Sequence, residues 1–259
     1  MSLDPARQSA VDPAPAVRPL NPVRIPARPL LSVLIPVFNE ARTIERCLER
    51  VEAVDLDKEI IVVDDGSTDG TRELLQQLAA RRDPRVFKVV LNPENRGKGF
   101  ALRTAIPLAR GEVSIIQDAD LEYDPAEFAK VIAPILEGKA QVSYGSRKAG
   151  RKAAGERVDL FLVGAVVLTE LANLLYRCKL TDEATCYKAF QTELLQSLPL
   201  RCTGFEFCPE VTAKVRKRRQ EIVEVDIGYA QRTVAEGKKI NWKDGVIGIW
   251  TLLKYRFVD

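Results

Sequence analysis

The chain has 259 residues, of which 46% are hydrophobic, and a formal net charge of +3. This length suits one large domain or two small ones, and the apolar content is ordinary for a soluble globular protein. The small net charge gives no argument for nucleic-acid binding. The sequence contains no histidine, which excludes Ser-His-Asp and Cys-His catalysis and zinc sites of the H-E-x-x-H type.

The cysteines indicate a reducing compartment. There are five, and no two of them are spaced as C-x-x-C: Cys47, Cys178, Cys186, Cys202 and Cys208. Because the count is odd and no secretory signal is recognisable, we expect free thiols in a cytoplasmic protein.

The N-terminal segment differs in composition from the rest. Residues 1–30 contain seven of the fifteen prolines and show little apolar periodicity. Such a segment does not bury enough apolar surface to fold alone, so we expect a flexible arm or an inert tail. We expect a folded domain over residues 31–235, followed by a C-terminal amphipathic segment over 236–259.

From Leu31 onward, short apolar runs alternate with helix-like segments. The runs are rich in β-branched residues and predict strands over 31–37, 59–65, 86–92, 112–118 and 140–146. Helices are predicted over 40–53, 68–82, 97–110 and 125–138, the first capped by Asn39 and the last with Pro125 in its first turn. This alternation predicts a doubly wound α/β domain with a mostly parallel sheet flanked by helices.

Polar residues cluster where the predicted strands end. Pro36, Asn39 and Glu40 follow the first strand, Asp64 and Asp65 the second, and Asp118 and Asp120 the fourth. Ligands of such sheets bind outside the carboxyl ends of the strands, so the clustering favours a binding site over scattered solvated turns.

The pair in DAD (118–120) indicates the kind of ligand. Two carboxylates one residue apart suit a hard divalent cation, Mg²⁺ or Mn²⁺, shared with substrate phosphates, unless the pair simply points into water. The chain has neither G-x-G-x-x-G after its first strand nor G-x-x-x-x-G-K-[ST], which argues against a dinucleotide site and a P-loop. NRGKGF (95–100) could approach a phosphate or base through its backbone and Lys98, or be only a tight turn. These features indicate a sugar nucleotide or nucleotidyl transfer.

Ordered motifs between Leu31 and about Phe257 resemble those of family 2 glycosyltransferases. They are LSVLIPVFNE, IIVVDDGSTDGT, NRGKGFALRTAI, QDADLEYDP, YGSR, TDEATCYKAF and EGKKINWKDG. The resemblance implies the Rossmann-like GT-A fold and is nearest to the polyprenyl-phosphate (dolichyl-phosphate) mannose and glucose synthases. It implies inverting transfer of a hexose, from a donor such as GDP-mannose or UDP-glucose, to a polyprenyl phosphate. The alternatives are a soluble or saccharide acceptor and a noncatalytic sugar-nucleotide-binding protein. The later motifs do not suit a nucleotidyltransferase.

The resemblance also implies roles for individual residues. Those expected to hold the nucleoside are Pro36, Phe38, Glu40 and Asp65. The D-x-D motif is Asp118, Ala119 and Asp120, and the expected metal ligands are Asp118, Asp120 and Glu122, where the synthases can have Gln instead of Glu. Basic groups expected around the phosphates are Lys98, Arg147, Arg232 and Lys238, although each arginine could equally form a surface ion pair. Asp182 is expected near the acceptor, unless it caps a helix or turn.

The implied reaction needs no histidine. The nucleotide diphosphate leaves the anomeric carbon as the acceptor attacks from the opposite face, and positive charge stabilises the leaving group. The residues expected to act in catalysis are Asp118, Asp120, Asp182 and Arg232. A phosphate acceptor is already an anion, whereas an alcohol would require a carboxylate base, for which Asp182 is the best candidate.

Two apolar segments in the C-terminal third predict amphipathic helices. In residues 158–177, Glu170, Asn173 and Arg177 fall on one helical face, and residues 245–257 combine aromatic and basic side chains. The uninterrupted apolar run 160–168 is far shorter than the ~20 residues of a spanning helix. Such helices suit the cytoplasmic face of a membrane, although both could instead pack on the sheet.

Overall fold

The strand–helix alternation folds into an α/β domain around one mixed sheet. The computed structural model describes residues 28–153, 160–230 and 242–258. The strands are Leu31–Val37 (β1), Lys58–Asp64 (β2), Phe87–Leu91 (β3), Val113–Ile116 (β4), Val142–Ser146 (β5), Lys188–Gln191 (β6) and Ile222–Asp226 (β7). Within the described residues, they form one sheet in the order β3-β2-β1-β4-β6-β5-β7.

The sheet is mostly parallel. Strands β1, β2, β3 and β4 pair in parallel, as do β5 and β7, whereas β6 runs antiparallel to both β4 and β5. All five predicted strands are present within a few residues of their expected bounds. Strands β6 and β7 were not predicted. Strand β6 escapes prediction because it is only four residues long and contains the charged Lys188. The prediction of a mostly parallel sheet is confirmed.

Helices cover both faces of the sheet. They are Ile44–Glu52 (α1), Thr71–Ala80 (α2), Lys98–Ala105 (α3), Phe128–Leu136 (α4), Lys148–Ala153 (α5), Leu160–Tyr176 (α6), Thr192–Ser197 (α7), Phe207–Lys217 (α8) and Trp242–Phe257 (α9). One core cluster joins β1 and β2 to residues of α1, α2 and α4, and a second joins the sheet to α3, α7 and α8. The result is a three-layer arrangement.

The first helix begins later than predicted. Asn39 does not cap it, because α1 starts at Ile44 and Thr43 precedes it. Asn39 instead has a φ of 50° and accepts a hydrogen bond from Thr68 N through its side chain. Asparagine tolerates this left-handed conformation better than most residues. Asn39 therefore forms a turn, and the helix begins five residues later.

Helices α6 and α9 form a third cluster together with α8. Tyr176 donates a hydrogen bond to Leu252 O over 2.6 Å, and both residues belong to this buried cluster. A Cβ at Gly248 would lie 3.1 Å from Leu168, so glycine lets the two helices approach closely. Both predicted C-terminal helices are therefore present. In the described ranges, no helix is both long and apolar enough to cross a membrane.

Part of the predicted domain division lies outside the described residues. This applies to residues 1–27 of the arm and to 236–241 of the C-terminal segment. The division at residues 30 and 235 remains a prediction.

Candidate active site

The loops that follow β1 and β2 are joined by hydrogen bonds. Asn39 N donates to Ser67 Oγ over 2.9 Å, and Glu40 N donates to Thr71 Oγ1 over 2.9 Å. The carboxylate of Asp64, at the end of β2, accepts from Ser67 N. These bonds give the carboxyl ends of the two strands a fixed relation. The residues of the first loop that are predicted to contact the nucleoside therefore lie at an edge of the sheet whose geometry is fixed by these hydrogen bonds.

Asp65 connects this edge to the start of α3. Its side chain is buried and accepts hydrogen bonds from Asn92 Nδ2, Arg96 N and Gly97 N, over 2.9, 3.0 and 2.6 Å. Gly97 has a φ of 98°, and a Cβ there would lie 2.4 Å from Thr203 O, so only glycine fits. Asp65 thus holds the NRGKGF turn against β2. Its predicted contact with the nucleoside stays a prediction.

The other predicted nucleoside residues differ in what their side chains do. Pro36 and Phe38 are half-buried at and just beyond the end of β1. Glu40 accepts a hydrogen bond from Thr43 Oγ1 over 2.6 Å. The side chain of Ala119 packs in the core, so a donor contact at this position would come from its backbone.

Asp118 is paired with a lysine. Lys98 Nζ lies 2.5 Å from Asp118 Oδ1 and 3.0 Å from Cys186 Sγ. Burial raises the pKa of Asp118, but the positive charges of Lys98 and, more weakly, of Arg147 outweigh burial and lower it overall. Burial likewise opposes the charge of Lys98, yet Asp118 leaves the pKa of Lys98 well above its usual value. Both groups are therefore charged, and the positive group beside the acidic pair is Lys98.

Asp120 has an excess of negative charge around it. Its Oδ1 accepts a hydrogen bond from Glu122 N over 3.0 Å, across a turn in which Leu121 has a φ of 68°. Burial, followed by the negative charges of Asp118 and Glu122, raises the pKa of Asp120 to about 7. A carboxylate in this position is stabilised by an added cation. The chemistry of Asp118 and Asp120 therefore fits a hard divalent ion.

Glu122 is turned toward the chain that follows β7. Its Oε2 accepts a hydrogen bond from Tyr229 Oη over 2.7 Å, and its carbonyl accepts from Ala230 N over 2.9 Å. In the part of the chain that the structure describes, no three acidic or cysteine side chains gather as a metal-binding group. The fit is thus to two carboxylates, with the remaining positions of the ion left to phosphate oxygens and water, as is common for Mg²⁺. The ligand role of Glu122 stays a prediction.

Arg147 and Asp182, which were predicted to act separately, bind each other. Arg147 Nε lies 2.6 Å from Asp182 Oδ2, and Nη2 lies 2.7 Å from Oδ1, a bidentate pair. The two residues are 7% and 4% exposed. The pair is therefore buried, unlike the surface ion pair considered for Arg147. Asp182 Oδ2 also accepts a hydrogen bond from Arg147 N over 3.0 Å, so this carboxylate binds both the backbone and the guanidinium of Arg147.

The segment that carries Asp182 is held from two sides. Glu224 of β7 accepts hydrogen bonds from Thr181 N and Asp182 N, over 2.7 and 3.1 Å. On α6, Thr169 Oγ1 accepts from Glu183 N over 3.0 Å, and Asn173 exchanges two hydrogen bonds with the backbone of Leu180. These positioning residues could not be assigned from the sequence. The only signal was Asn173, a polar residue within an apolar helix.

Two further side chains at the site were not predicted. Cys186 contacts Lys98, and its backbone N–H donates to Tyr123 Oη over 3.0 Å. Tyr229 binds Glu122, and the Arg147 guanidinium lies 5.0 Å from the centre of the Tyr229 ring. Tyr229 thus links the acidic turn to the buried ion pair. Arg232 and Lys238 lie outside the described residues, so their phosphate contacts stay predictions.

The chain matches one protein family over most of its length. Residues 32–198 match the family described as glycosyl transferase family 2. The chain is 30% identical over 235 residues to the low-salt glycan biosynthesis hexosyltransferase Agl6 of Haloferax volcanii, an alignment covering 89% of this chain and 54% of that protein. It is 28% identical over 217 residues to the dolichol-phosphate mannosyltransferase of Pyrococcus furiosus, covering 80% and 58%. The chain therefore spans little more than half the length of these two relatives.

A third relative and a solved structure are matched more fully. The UDP-N-acetylglucosamine–dolichyl-phosphate N-acetylglucosaminyltransferase of Methanococcus voltae is 28% identical over 228 residues, covering 82% of this chain and 90% of that one. Glucosyl-3-phosphoglycerate synthase from Mycobacterium tuberculosis, crystallised with Mn²⁺, UDP and phosphoglyceric acid, superposes with a TM-score of 0.68 at 25% identity, covering 90% and 80%. The motifs, the sheet and the family match agree: the chain belongs to glycosyl transferase family 2 and has the GT-A fold.

Proposed function

We propose that the protein is an inverting hexosyltransferase that moves a hexose from a nucleotide sugar to a polyprenyl phosphate with Mg²⁺ or Mn²⁺. The observation that carries this proposal is the pair Asp118 and Asp120 just after the carboxyl end of β4, where Asp120 is surrounded mainly by negative charge that a cation would relieve. The branch is supported by relatives named for transfer to dolichyl and undecaprenyl phosphate.

The described residues would divide the work as follows. Asp118 and Asp120 would hold the cation, which supplies positive charge to the departing diphosphate when bound. Lys98 is a second positive group at the same place and stays protonated near neutral pH. Arg147 also stays charged, because its neighbours, among them the carboxylate of Asp182, outweigh the effect of burial on its pKa. These charges would offset repulsion between an anionic acceptor and the anionic leaving group.

The Arg147–Asp182 pair supports a phosphate acceptor over an alcohol. An alcohol has to lose a proton, and Asp182 is the candidate base. Both carboxylate oxygens of Asp182 already accept hydrogen bonds from the Arg147 guanidinium, which leaves this carboxylate poorly placed to take a proton from an alcohol. A phosphate monoester arrives already ionised and needs cations for positioning rather than a base. The geometry therefore agrees with an anionic acceptor.

A second acceptor class has a specific observation in its favour. The superposed glucosyl-3-phosphoglycerate synthase was crystallised with phosphoglyceric acid, a soluble phosphorylated acid. Such an acceptor is also an anion, so the charges described above would suit its binding, but transfer to its hydroxyl would require a base. The two candidates share the donor half of the site and differ in whether the product is a lipid.

One transfer experiment separates these candidates. Purified protein is incubated with Mn²⁺ and labelled GDP-mannose, UDP-glucose or UDP-N-acetylglucosamine, together with either a polyprenyl phosphate or 3-phosphoglycerate. We expect label in the organic phase with one donor, only when polyprenyl phosphate is present, and its loss with chelator. Label found only in a water-soluble product with 3-phosphoglycerate would contradict the lipid acceptor. Absence of nucleotide release with every donor would contradict hexosyl transfer.

The proposed contact with lipid is the outer face of α6 and α9, here called the α6/α9 face. Its exposed apolar side chains are Val163, Val166, Val167, Leu174, Trp242, Val246, Ile247, Trp250, Leu253 and Phe257. Leu174 is 77% exposed and Trp250 65%. Exposed apolar patches of this kind mark interaction sites. Helix α9 also carries three basic residues that suit anionic headgroups: Lys243, Lys254 and Arg256.

Replacing both tryptophans of this face by serine tests the lipid contact. We expect Trp242→Ser with Trp250→Ser to weaken binding to phosphatidylglycerol vesicles about tenfold or more, because apolar indole area no longer enters the interface. Both indoles are exposed, so the free energy of unfolding should hardly change. Vesicle co-sedimentation at low and high salt measures the binding, and salt should release part of the native protein.

The matched control lies on another surface. Leu136, at the end of α4, is also an exposed apolar residue, and Leu136→Ser should bind vesicles like the native protein. Equal binding by the double tryptophan variant, or no binding of native protein at low salt, would contradict the lipid contact at the α6/α9 face.

A further inference from the structure

Lys98 forms an ion pair with Asp118, one of the two carboxylates that would bind the metal. Its Nζ lies 2.5 Å from Asp118 Oδ1, and the two side chains are only 13% and 14% exposed. Two charges this close and this shielded from water interact strongly. In the structure, Asp118 therefore already has a positive partner. A divalent cation approaching Asp118 alone would meet an ammonium group beside its ligand.

The placement of Lys98 is unfavourable for the helix that carries it. Lys98 is the first residue of α3, where the helix dipole is positive and a cation is normally destabilising. Asp118 offsets that cost from the loop that follows β4. The other described partner, Cys186 Sγ at 3.0 Å, is a weak acceptor and holds the ammonium less firmly. The ammonium is thus held mainly by Asp118.

We infer that Lys98 is an internal counter-ion, which neutralises Asp118 until the donor diphosphate arrives and so makes metal and nucleotide bind together. This inference rests on the proposed use of a divalent cation. Metal alone would gain only part of the attraction of the acidic pair, because Lys98 cancels the charge of Asp118. A diphosphate brings negative charge that the ammonium can approach instead, which leaves Asp118 to the metal. Metal and nucleotide therefore strengthen each other's binding, and this coupling is reciprocal.

The native protein gives the first test, with no acceptor present. Binding of Mn²⁺ is measured from its free-ion electron paramagnetic resonance signal, alone and with UDP, GDP or inorganic diphosphate. We expect at least one of these probes to tighten Mn²⁺ binding about tenfold or more. If Mn²⁺ binds as tightly alone as with every probe, the inference is overturned.

Lys98→Met gives the second test, since it keeps the length of the side chain and removes the charge. We expect Mn²⁺ alone to bind about tenfold more tightly than to native protein, and the added effect of the diphosphate probe to shrink. Lys98→Arg keeps the charge and should keep the weak binding of Mn²⁺ alone. A purely structural lysine would not change metal affinity in this direction.

A control and a reserve variant keep the result decisive. Lys88→Met removes a lysine that pairs with Glu59, 3.1 Å away on β2, and should leave Mn²⁺ binding unchanged. If Lys98→Met does not fold, Lys98→Gln replaces it in the same measurement. Unchanged or weaker Mn²⁺ binding by the uncharged variant would overturn the inference. Because no acceptor is used, this failure differs from a failure of lipid transfer, which the product assay reports.

Discussion

Asp120→Asn is expected to lower sugar transfer by about a hundredfold to a thousandfold, a loss typical of removing one group that stabilises the transition-state charge. The change keeps the volume of the side chain and removes its charge, so the cation loses one of its two carboxylates. The fold should not suffer. Asp118 and Glu122 crowd Asp120 with like charge, so a neutral amide leaves the free energy of unfolding equal or higher. Loss of activity with retained stability separates a site residue from a structural one.

Initial rates at saturating Mn²⁺ and urea unfolding measure the two halves of this prediction. Asp124→Asn is the matched control, because Asp124 is an exposed acidic residue four positions later, which caps Ala126 N and pairs with Arg50. An asparagine there keeps the cap, so transfer should stay near native. Near-normal turnover of Asp120→Asn, or transfer that persists in excess chelator, would rule out the metal assignment.

The strand ends could be predicted from the sequence because they depend on local pattern. Apolar runs such as LSVLIPV must be buried on both faces, and their order along the chain places Asp65 and Asp118 at one edge. The turn geometry at Asn39 could not be predicted from the sequence. Its side chain bonds to Thr68, which lies 29 residues away, so a local capping rule led to the wrong helix start.

The pairings inside the site were beyond sequence reasoning for the same reason. Lys98 and Asp118 are 20 residues apart, and Arg147 and Asp182 are 35 apart. No local rule shows that the two groups assigned to phosphate and acceptor would also bind each other. Strand β6 was missed because Lys188 is buried there, with its Nζ donating to Glu183 O and lying over the Tyr144 ring. A buried lysine contradicts the apolar pattern on which strand prediction relies.

Most charged side chains of the described site form ion pairs. Lys98 neutralises Asp118, and Arg147 neutralises Asp182, while Asp120 is left with mostly negative neighbours. The position of highest unbalanced charge is therefore Asp120. An added cation should bind where it relieves that imbalance. Of the two ion pairs, Lys98–Asp118 is less buried than Arg147–Asp182, so an arriving diphosphate should draw away Lys98 rather than Arg147.

Asp182→Asn distinguishes a base from a positioning residue. The variant leaves the buried Arg147 guanidinium without its carboxylate, and breaking such a pair costs about 3–5 kcal/mol in the free energy of unfolding. If the acceptor is a phosphate, no proton is removed in the transfer, so Asp182 acts by holding Arg147. We then expect kcat to fall, KM for the acceptor to rise as Arg147 shifts, and the dependence of kcat on pH to keep its shape.

The same measurements would also reveal whether Asp182 is a general base rather than a residue that positions Arg147. Asp226→Asn changes an exposed carboxylate at the end of β7, and both its stability and its kinetics should match the native protein. If Asp182 were a general base, Asp182→Asn would remove the acidic limb of the pH profile and nearly all turnover, with the KM for the acceptor unchanged. Retention of that limb, together with a raised KM, requires an acceptor that is already ionised when it reaches Arg147. A phosphate meets that requirement, and an alcohol does not.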